Sequence, residues 1–424
     1  MEVLGDQIDE EDETLEINLV NPTATGTPSV IGSPATTTIT DDDTAGFIIN
    51  PTSGLTTTEA GGTSSFEVHL TSQPTANVAI NLNSSNTAEG TIDKNSLTFT
   101  ATNWNTPQTV TITGVDDLVD DGNIAYNIIT AATTSTDAKY NGINADDVAV
   151  SNTDNDIAGV TITQTGGNTQ LTEGSITDTY TIALDTLPTG NVQITATADA
   201  QTQVSLDGVN FAASQTLTFT PANGMTPRTV TVRAINDNTT ENLHSGSITH
   251  AITTSADTNY ATTMALDGIT ANITDNDISY SLTGGNTNIT EGNSGSQQIT
   301  YNITRAGALN ETSSVDFNFS GTATNIADYK LVSVTGTGVT TTNSTITFAP
   351  NATSATITVE VVGEPIDEED ETLEINLVNP TATGTATVIG SPVTSTIIDD
   401  DTAGFTVTPT SLTTTEAGEL LHLR

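Results

Sequence analysis

The phrase IDEEDETLEINL stands twice in the chain, at residues 8–19 and 366–377, and each copy gathers five consecutive acids. Asp runs recur as well: TDDDTAGF (40–47), TDNDIAGV (153–160), TDNDISYS (274–281) and IDDDTAGF (398–405). Carboxylates at this density can be solvated, can exchange protons in hydrolysis, or can hold a hard cation. Two of them about 4 Å apart repel by about 1 kcal/mol in water and about 4 kcal/mol at an effective dielectric of about 20. A few partly buried pairs would rival a domain's whole stability of roughly 5–15 kcal/mol. The side chains therefore either splay into water, where salt screens them, or share a cation. With oxygen ligands and no Cys, that cation would be Ca²⁺, which accepts about 6–8 oxygens in flexible geometry, in preference to Mg²⁺.

Hydrolysis would need a concave cleft and separated acid and base roles. Acids that recur at regular intervals read instead as a structural device, so no enzyme is expected. Of the four His, His69 alternates outward from Phe66, Val68 and Leu70, and His250 aligns with Tyr126 at a core edge. Metal ligation by His is not expected. Asp120 and Asp121 read as a solvated loop. The sole Trp, Trp104, falls at a hairpin turn where the next repeat has Gly224, which leaves little for a sugar platform.

The elements that must position these acids are strands. The Asp runs are spaced by 113, 121 and 124 residues, which are domain-sized periods. Each is followed by a Thr-Glu signature, at Glu59, Glu173, Glu291 and Glu416. Between the markers apolar residues alternate: Phe66, Val68, Leu70 with Val78, Ile80, Leu82; then Tyr180, Ile182, Leu184; then Ile299, Tyr301, Ile303. Period two marks half-buried strands. With abundant Thr and Gly, Asn or Pro turns, the pattern predicts an all-β chain of tandem antiparallel Ig-like β-sandwich modules, about seven strands each, in an elongated array. In ETLEINL the inward parity belongs to Leu373, Ile375 and Leu377, so Glu371 lies on their face at the loop rim. Asp399 to Asp401 end the last strand behind the inward Ile397.

Residues 8–47 match 366–405 at 35 of 40 positions. The expected organisation is therefore the C-terminal half of a module at 1–46, two repeats at 47–157 and 158–279, a complete module at 280–403, and the start of a truncated one at 404–424. The chain reads as a piece of a longer array. Its 52 acids against 7 Lys and Arg give a formal charge of −45. Such a surface disfavours nucleic-acid phosphates and anionic lipids, and no apolar run is long enough for direct membrane insertion.

TEGNSG, GTATNIADY (321–329), STITFAPNATSATITVEVV (344–362), DEEDETLEINL and IDDDTAGF, in that order, resemble a Calx-β domain. The resemblance covers 280–403, and 1–46 as a second half. It implies a Ca²⁺-binding sandwich with ions at one end, held by Glu291, Asp328, Glu364, Glu368, Glu371, Asp399, Asp400 and Asp401. Where the family often has an Asp pair before the acidic loop, this chain has Gly363 and Glu364, which implies fewer or weaker ions. The two middle modules resemble Calx-β-like repeats of bacterial surface proteins more loosely. Their candidate ligands are Glu59, Asp116, Asp117, Asp154 and Asp156, and Glu173, Asp237, Glu241, Asp275 and Asp277. The first acidic copy, with Asp6, Glu10, Glu13 and Asp41 to Asp43, lacks the opening Glu of its module.

These features lead us to expect a calcium-rigidified spacer or adhesin-like segment of an extracellular or cell-surface, secreted bacterial protein. Its partners would be calcium ions, neighbouring modules, and an unknown surface protein or glycan. Two alternatives stay open: a calcium-responsive sensor or interaction module, and an acidic spacer with no specific ion.

Overall fold

The structure is a computed structural model that describes residues 2–285 and 287–406. The expected module opening at 404–424, including Glu416, lies almost entirely outside the described residues. Alternating apolar side chains close three separate cores, spanning Leu55 to Val150, Leu171 to Ile273 and Ile278 to Ile397. Residues Glu13–Ile17 and Ala35–Ile39 form only a two-stranded antiparallel pair. Among the described residues no helix is long and apolar enough to cross a membrane.

The modules are all-β sandwiches, but they hold more than about seven strands. A four-stranded sheet faces a five-stranded one in each middle module, and five strands face six in the last. The additional strands come partly from splitting the opening one. In 47–157 it runs as Phe47–Asn50 on one sheet and Leu55–Thr58 on the other; Val160–Gln164 and Thr169–Thr172, then Ile278–Gly284 and Asn288–Thr290, repeat the split. Gly54, Gly167 and Gly285, at φ +76°, +85° and +75°, let the backbone cross between sheets in a region that L side chains rarely adopt.

The sheets are also not purely antiparallel. The second piece of each opening strand lies parallel to the closing strand, as Thr153↔Thr58, Thr274↔Thr172 and Ile398↔Thr290 show. The pairing continues by one residue, so the amides of Glu59, Glu173 and Glu291 donate to Thr153 O, Thr274 O and Ile398 O at 3.1–3.2 Å. Each Thr-Glu signature is thereby fixed beside the Asp run that ends its own module.

The strand Glu371–Thr381 buries Leu373, Ile375 and Leu377 as its parity requires, and pairs Glu371 opposite Ile397 of Val393–Ile398. Replacing Leu373, which is fully buried two residues from Glu371, by Ala should cost about 2–5 kcal/mol in that module alone. The urea transition seen by circular dichroism should split, while Trp104 fluorescence, which reports the separate 47–157 core, should keep its midpoint.

Candidate metal centre

In the last module six of the eight proposed ligands meet at one tip. Burial is the largest cause raising the Glu291 carboxyl to about 7, followed by the charges of Asp399, Glu364, Glu368 and Asp328. Burial likewise leads in raising Glu371 to about 7, with a shared hydrogen bond to Asp328 next. Glu368 is raised by desolvation and by Glu364, Asp328 and Asp399. Asp400 turns to the opening loop instead, its Oδ1 accepting Gly292 N at 3.0 Å, whereas Asp401 is divided: its Oδ1 accepts the Asn293 side-chain amide and its Oδ2 is buried at the tip without a partner. Asp399 is already held by backbone, accepting Glu368 N at 3.0 Å and Asp401 N at 3.0 Å.

Gly363 is explained by the same opening loop. A Cβ there would fall 2.2 Å from Gly292 O, so no Asp fits without moving that turn. Asp328 takes part from the neighbouring strand end. It is buried, its Oδ2 accepts Thr324 N and Thr324 Oγ1, and its carbonyl accepts Val362 N at 2.8 Å.

The last bond recurs as Val115 N to Glu89 O and Ile235 N to Gln201 O, which makes Glu89 and Gln201 the structural counterparts of Asp328. Sequence reasoning missed Glu89. The following Tyr of the motif is replaced by Gly90, whose Cβ would fall 2.0 Å from the Tyr126 hydroxyl that fills its place. In 47–157 the structure forms two groups: Glu59 with Asp154 and Asp156, and Glu89 with Asp117 and Asp121, each with ligand atoms within 4.8 Å of one another. Asp116 is drawn aside by Asn155 Nδ2 at 3.1 Å. The solvated-loop reading is corrected for Asp120 alone, since Asp121 stays exposed. Asp121 joins the second group, and Asp120 Oδ2 accepts Ala158 N at 2.8 Å, because the loop folds back onto the start of the next module.

In 158–279, Glu173 lies within a group with Asp237 and Asp277, and within another with Glu241 and His244. Asp275 accepts Glu241 N at 2.6 Å and Asp277 N at 2.7 Å, the same pair of backbone bonds that Asp399 accepts from Glu368 N and Asp401 N. In the first half-module, Asp41 to Asp43 cluster, and Asp41 accepts Glu10 N at 2.9 Å just as Asp399 accepts Glu368 N. The loop and Asp run therefore assemble without the opening Glu.

Whether these residues suit a hard cation is decided by oxygens that lack a donor. Among the described residues, every buried carboxylate oxygen without a hydrogen-bond partner belongs to a tip: Asp156 Oδ2, Glu173 Oε2, Glu241 Oε2, Asp277 Oδ2 and Asp401 Oδ2. A buried polar atom left unpaired is costly, and several anionic ones side by side more so. A divalent ion would satisfy both requirements, so the residue set fits.

Glu59, Glu173 and Glu291 are almost fully buried, and each is raised to about 7, first by desolvation. A carboxyl whose folded pKa is raised stabilises the fold below its unfolded value near 4.5, and that contribution is lost as pH rises through about 7. Each shift is worth up to roughly 3 kcal/mol. Asp137 and Asp199, which are lowered, act only below the usual Asp range and leave this window alone. The urea midpoint of chelator-treated protein should therefore fall between about pH 5 and about pH 8, and excess calcium should remove that fall.

The Calx-beta domain profile matches residues 1–45, 191–277 and 274–402. No curated protein matches the chain significantly. Among solved structures, the apo form of the Calx CBD1 domain is 24% identical, over 29% of this chain and 98% of that one, with a TM-score of 0.22. The calcium binding domain CBD12 of CALX1.1 is 14% identical over 56% of this chain and 99% of that one, with a TM-score of 0.23. The C-terminal domain of the Streptococcus pyogenes antigen I/II-family protein AspA is 11% identical over 56% and 98%, with a TM-score of 0.28. Because the profile accounts for more than half of its length, on either side of 46–190, the chain belongs to the Calx-beta domain family.

Proposed function

We propose that this chain is a non-catalytic, calcium-rigidified array of modules in an extracellular or cell-surface protein, whose work is to space and present what it carries. The observation that bears most weight is Asp277. Its Oδ1 accepts Thr385 N of the next module at 2.5 Å, its buried Oδ2 has no donor, and the side chain belongs to a group with Glu173 and Asp237. One side chain thus belongs both to a cation-sized oxygen group and to a joint between modules. Ions would be held by Glu291, Asp328, Glu364, Glu368, Glu371 and Asp399 in the last module. In 47–157 they would be held by Glu59, Asp154 and Asp156, and by Glu89, Asp117 and Asp121. The bound cation supplies charge neutralisation; the protein's carboxylates supply position.

Concentration supports the extracellular placement. Tips whose oxygens are partly committed to backbone amides suit weak sites of about 10⁻⁴–10⁻³ M, which only an extracellular medium fills. The scarcity of bases argues for calcium and protein neighbours over phosphate-bearing partners. The adhesive target, an exposed protein or glycan, would lie elsewhere on the array.

Calcium should raise the melting temperature of the chain and lengthen its maximum dimension in small-angle scattering. Glu291→Gln combined with Asp399→Asn should abolish the share of that gain that belongs to the last module. An unchanged melting profile and an unchanged length on chelation would defeat the proposal. Affinities near 10⁻⁶ M would turn it into a sensor instead.

A further inference from the structure

The tip of 158–279 differs from the others in carrying an imidazole. His244 Nε2 lies 3.2 Å from Glu241 Oε2 and 3.6 Å from Glu173 Oε1. His244 Nδ1 lies 3.0 Å from Asn242 O, a carbonyl that can only accept, so Nδ1 carries a proton and donates it there. In the neutral ring that bond leaves the Nε2 lone pair facing two carboxylates. Glu173 is 2% exposed, and its second oxygen, Oε2, is buried without a partner. Glu241 Oε2 is also buried, and despite its nearness to Nε2 it is outside hydrogen-bonding geometry. Lone pairs converging from a ring nitrogen and two carboxylates, with one ring face anchored to a backbone carbonyl, are the donor set and outer support of a bound transition ion.

We infer that Glu173, Glu241 and His244 form a site for a borderline divalent transition ion, Zn²⁺ in the first instance, separate in its selectivity from the oxygen-only calcium tips. The inference rests on the reading of the tips as cation sites, because the strand pairing that fixes Glu173 is the same in all three modules. Ligand type makes the distinction. Ca²⁺ takes oxygen, whereas imidazole suits Zn²⁺, Cu²⁺ and Ni²⁺. The spacing agrees, since four ligands about 2.0–2.1 Å from Zn²⁺ stand about 3.3 Å apart, between the two separations observed. His244 and Glu241 are 18% and 28% exposed in their side chains, so an ion can enter from solvent and complete its shell with water. Glu173 also belongs to an oxygen-only group with Asp237 and Asp277, so the calcium-type and imidazole-bearing groups share this one carboxylate.

The test uses the full chain, free of any affinity tag and stripped by a chelator, with Co²⁺ as the spectroscopic probe in an excess of calcium. The expected result is a single Co²⁺ equivalent whose visible absorption survives the calcium and is displaced by Zn²⁺. His244→Ala and, independently, Glu241→Gln should weaken it about 10-fold or more while calcium binding by the last module is unchanged. Nitrogen-15 spectra should show His244 Nε2 shifting with metal. The inference is overturned if His244→Ala leaves Co²⁺ affinity unaltered, or if calcium displaces Co²⁺ at equal concentration. It is also overturned if Nε2 stays protonated throughout, as in a plain ion pair with the two carboxylates. In each of these cases calcium uptake at Glu291 would still stand, so the two readings fail separately.

Discussion

The parallel pairing between the second piece of the opening strand and the closing strand is the constraint on which the acidic tips depend. It fixes the opening Glu one residue beyond Thr58, Thr172 or Thr290, with its amide on the closing strand's last carbonyl. From there the side chain can only lie against the Asp run that follows. The Gly-assisted crossing makes the pairing possible, and the alternating core makes it obligatory, since a one-residue slip would turn each strand's apolar face to water. Charge is thus concentrated by packing forces that are indifferent to charge.

Within that shared frame each module spends its carboxylates differently. Asp328 in the last module becomes Glu89 in 47–157 and the uncharged Gln201 in 158–279, all marked by the same backbone bond. The middle modules place Asn155 or Asn276 where the last has Asp400. Asn276 Nδ2 donates to Glu173 O and Asn236 Oδ1, so this position tethers the opening turn from the donor side. Asp400 tethers it from the acceptor side, through Gly292 N. Asn276 and Asp400 therefore both clamp the turn, whereas Asn155 spends its side-chain amide on Asp116. That difference shows why a list of family ligands does not by itself say which acids of the run meet the opening loop: Asp400 accepts Gly292 N, while Asp399 accepts Glu368 N and Asp401 N.

Much of this was legible in sequence because period two and the repeated markers are local signals. The burial of Leu373, Ile375 and Ile397 follows directly from parity, as does the outward side of the strand that carries His69. The strand count was not legible, since the short pieces Asn288–Thr290 and Gly90–Ile92 are too brief to show alternation. Glu89 escaped because its neighbour Gly90 is small for a reason that lies across the sandwich, in Tyr126. His244 escaped because Glu173 is brought to it only by the parallel pairing, which leaves no spacing motif, although Glu241 stands just three residues before it. Arg305 is the same lesson in a base. It is fully buried to hold the carbonyls of Ala308, Glu311 and Ala349, a loop-pinning task invisible in composition.

The joints follow from the same arrangement, and they are of two kinds. Asp9, Asp120 and Asp367 each accept the amide of an Ala just past the Asp run, Ala45, Ala158 and Ala403, at 2.7–2.9 Å. At the first two joints the backbone adds one further bond, from Gln73 N to Gln7 O and from Leu187 N to Leu118 O. Lys139 reaches back to Asp9 and Glu11 at 2.9 and 3.0 Å, where Asn259 reaches Asp120 O in the next joint. In 158–279 the counterpart of Asp120 is Thr240, and that cap is lost. There the chain runs from Asp277 straight into Ile278–Gly284, with Ile278 N on Thr385 O and Thr385 N on Asp277 Oδ1. The first kind of joint hangs on carboxylates inside an acidic loop, so its stiffness tracks how well neighbouring charge is neutralised. The second kind adds a run of backbone pairing, but one of its bonds is still a carboxylate, Asp277, which belongs to an acidic group and whose Oδ2 is buried without a donor, so this joint too depends on how that charge is met.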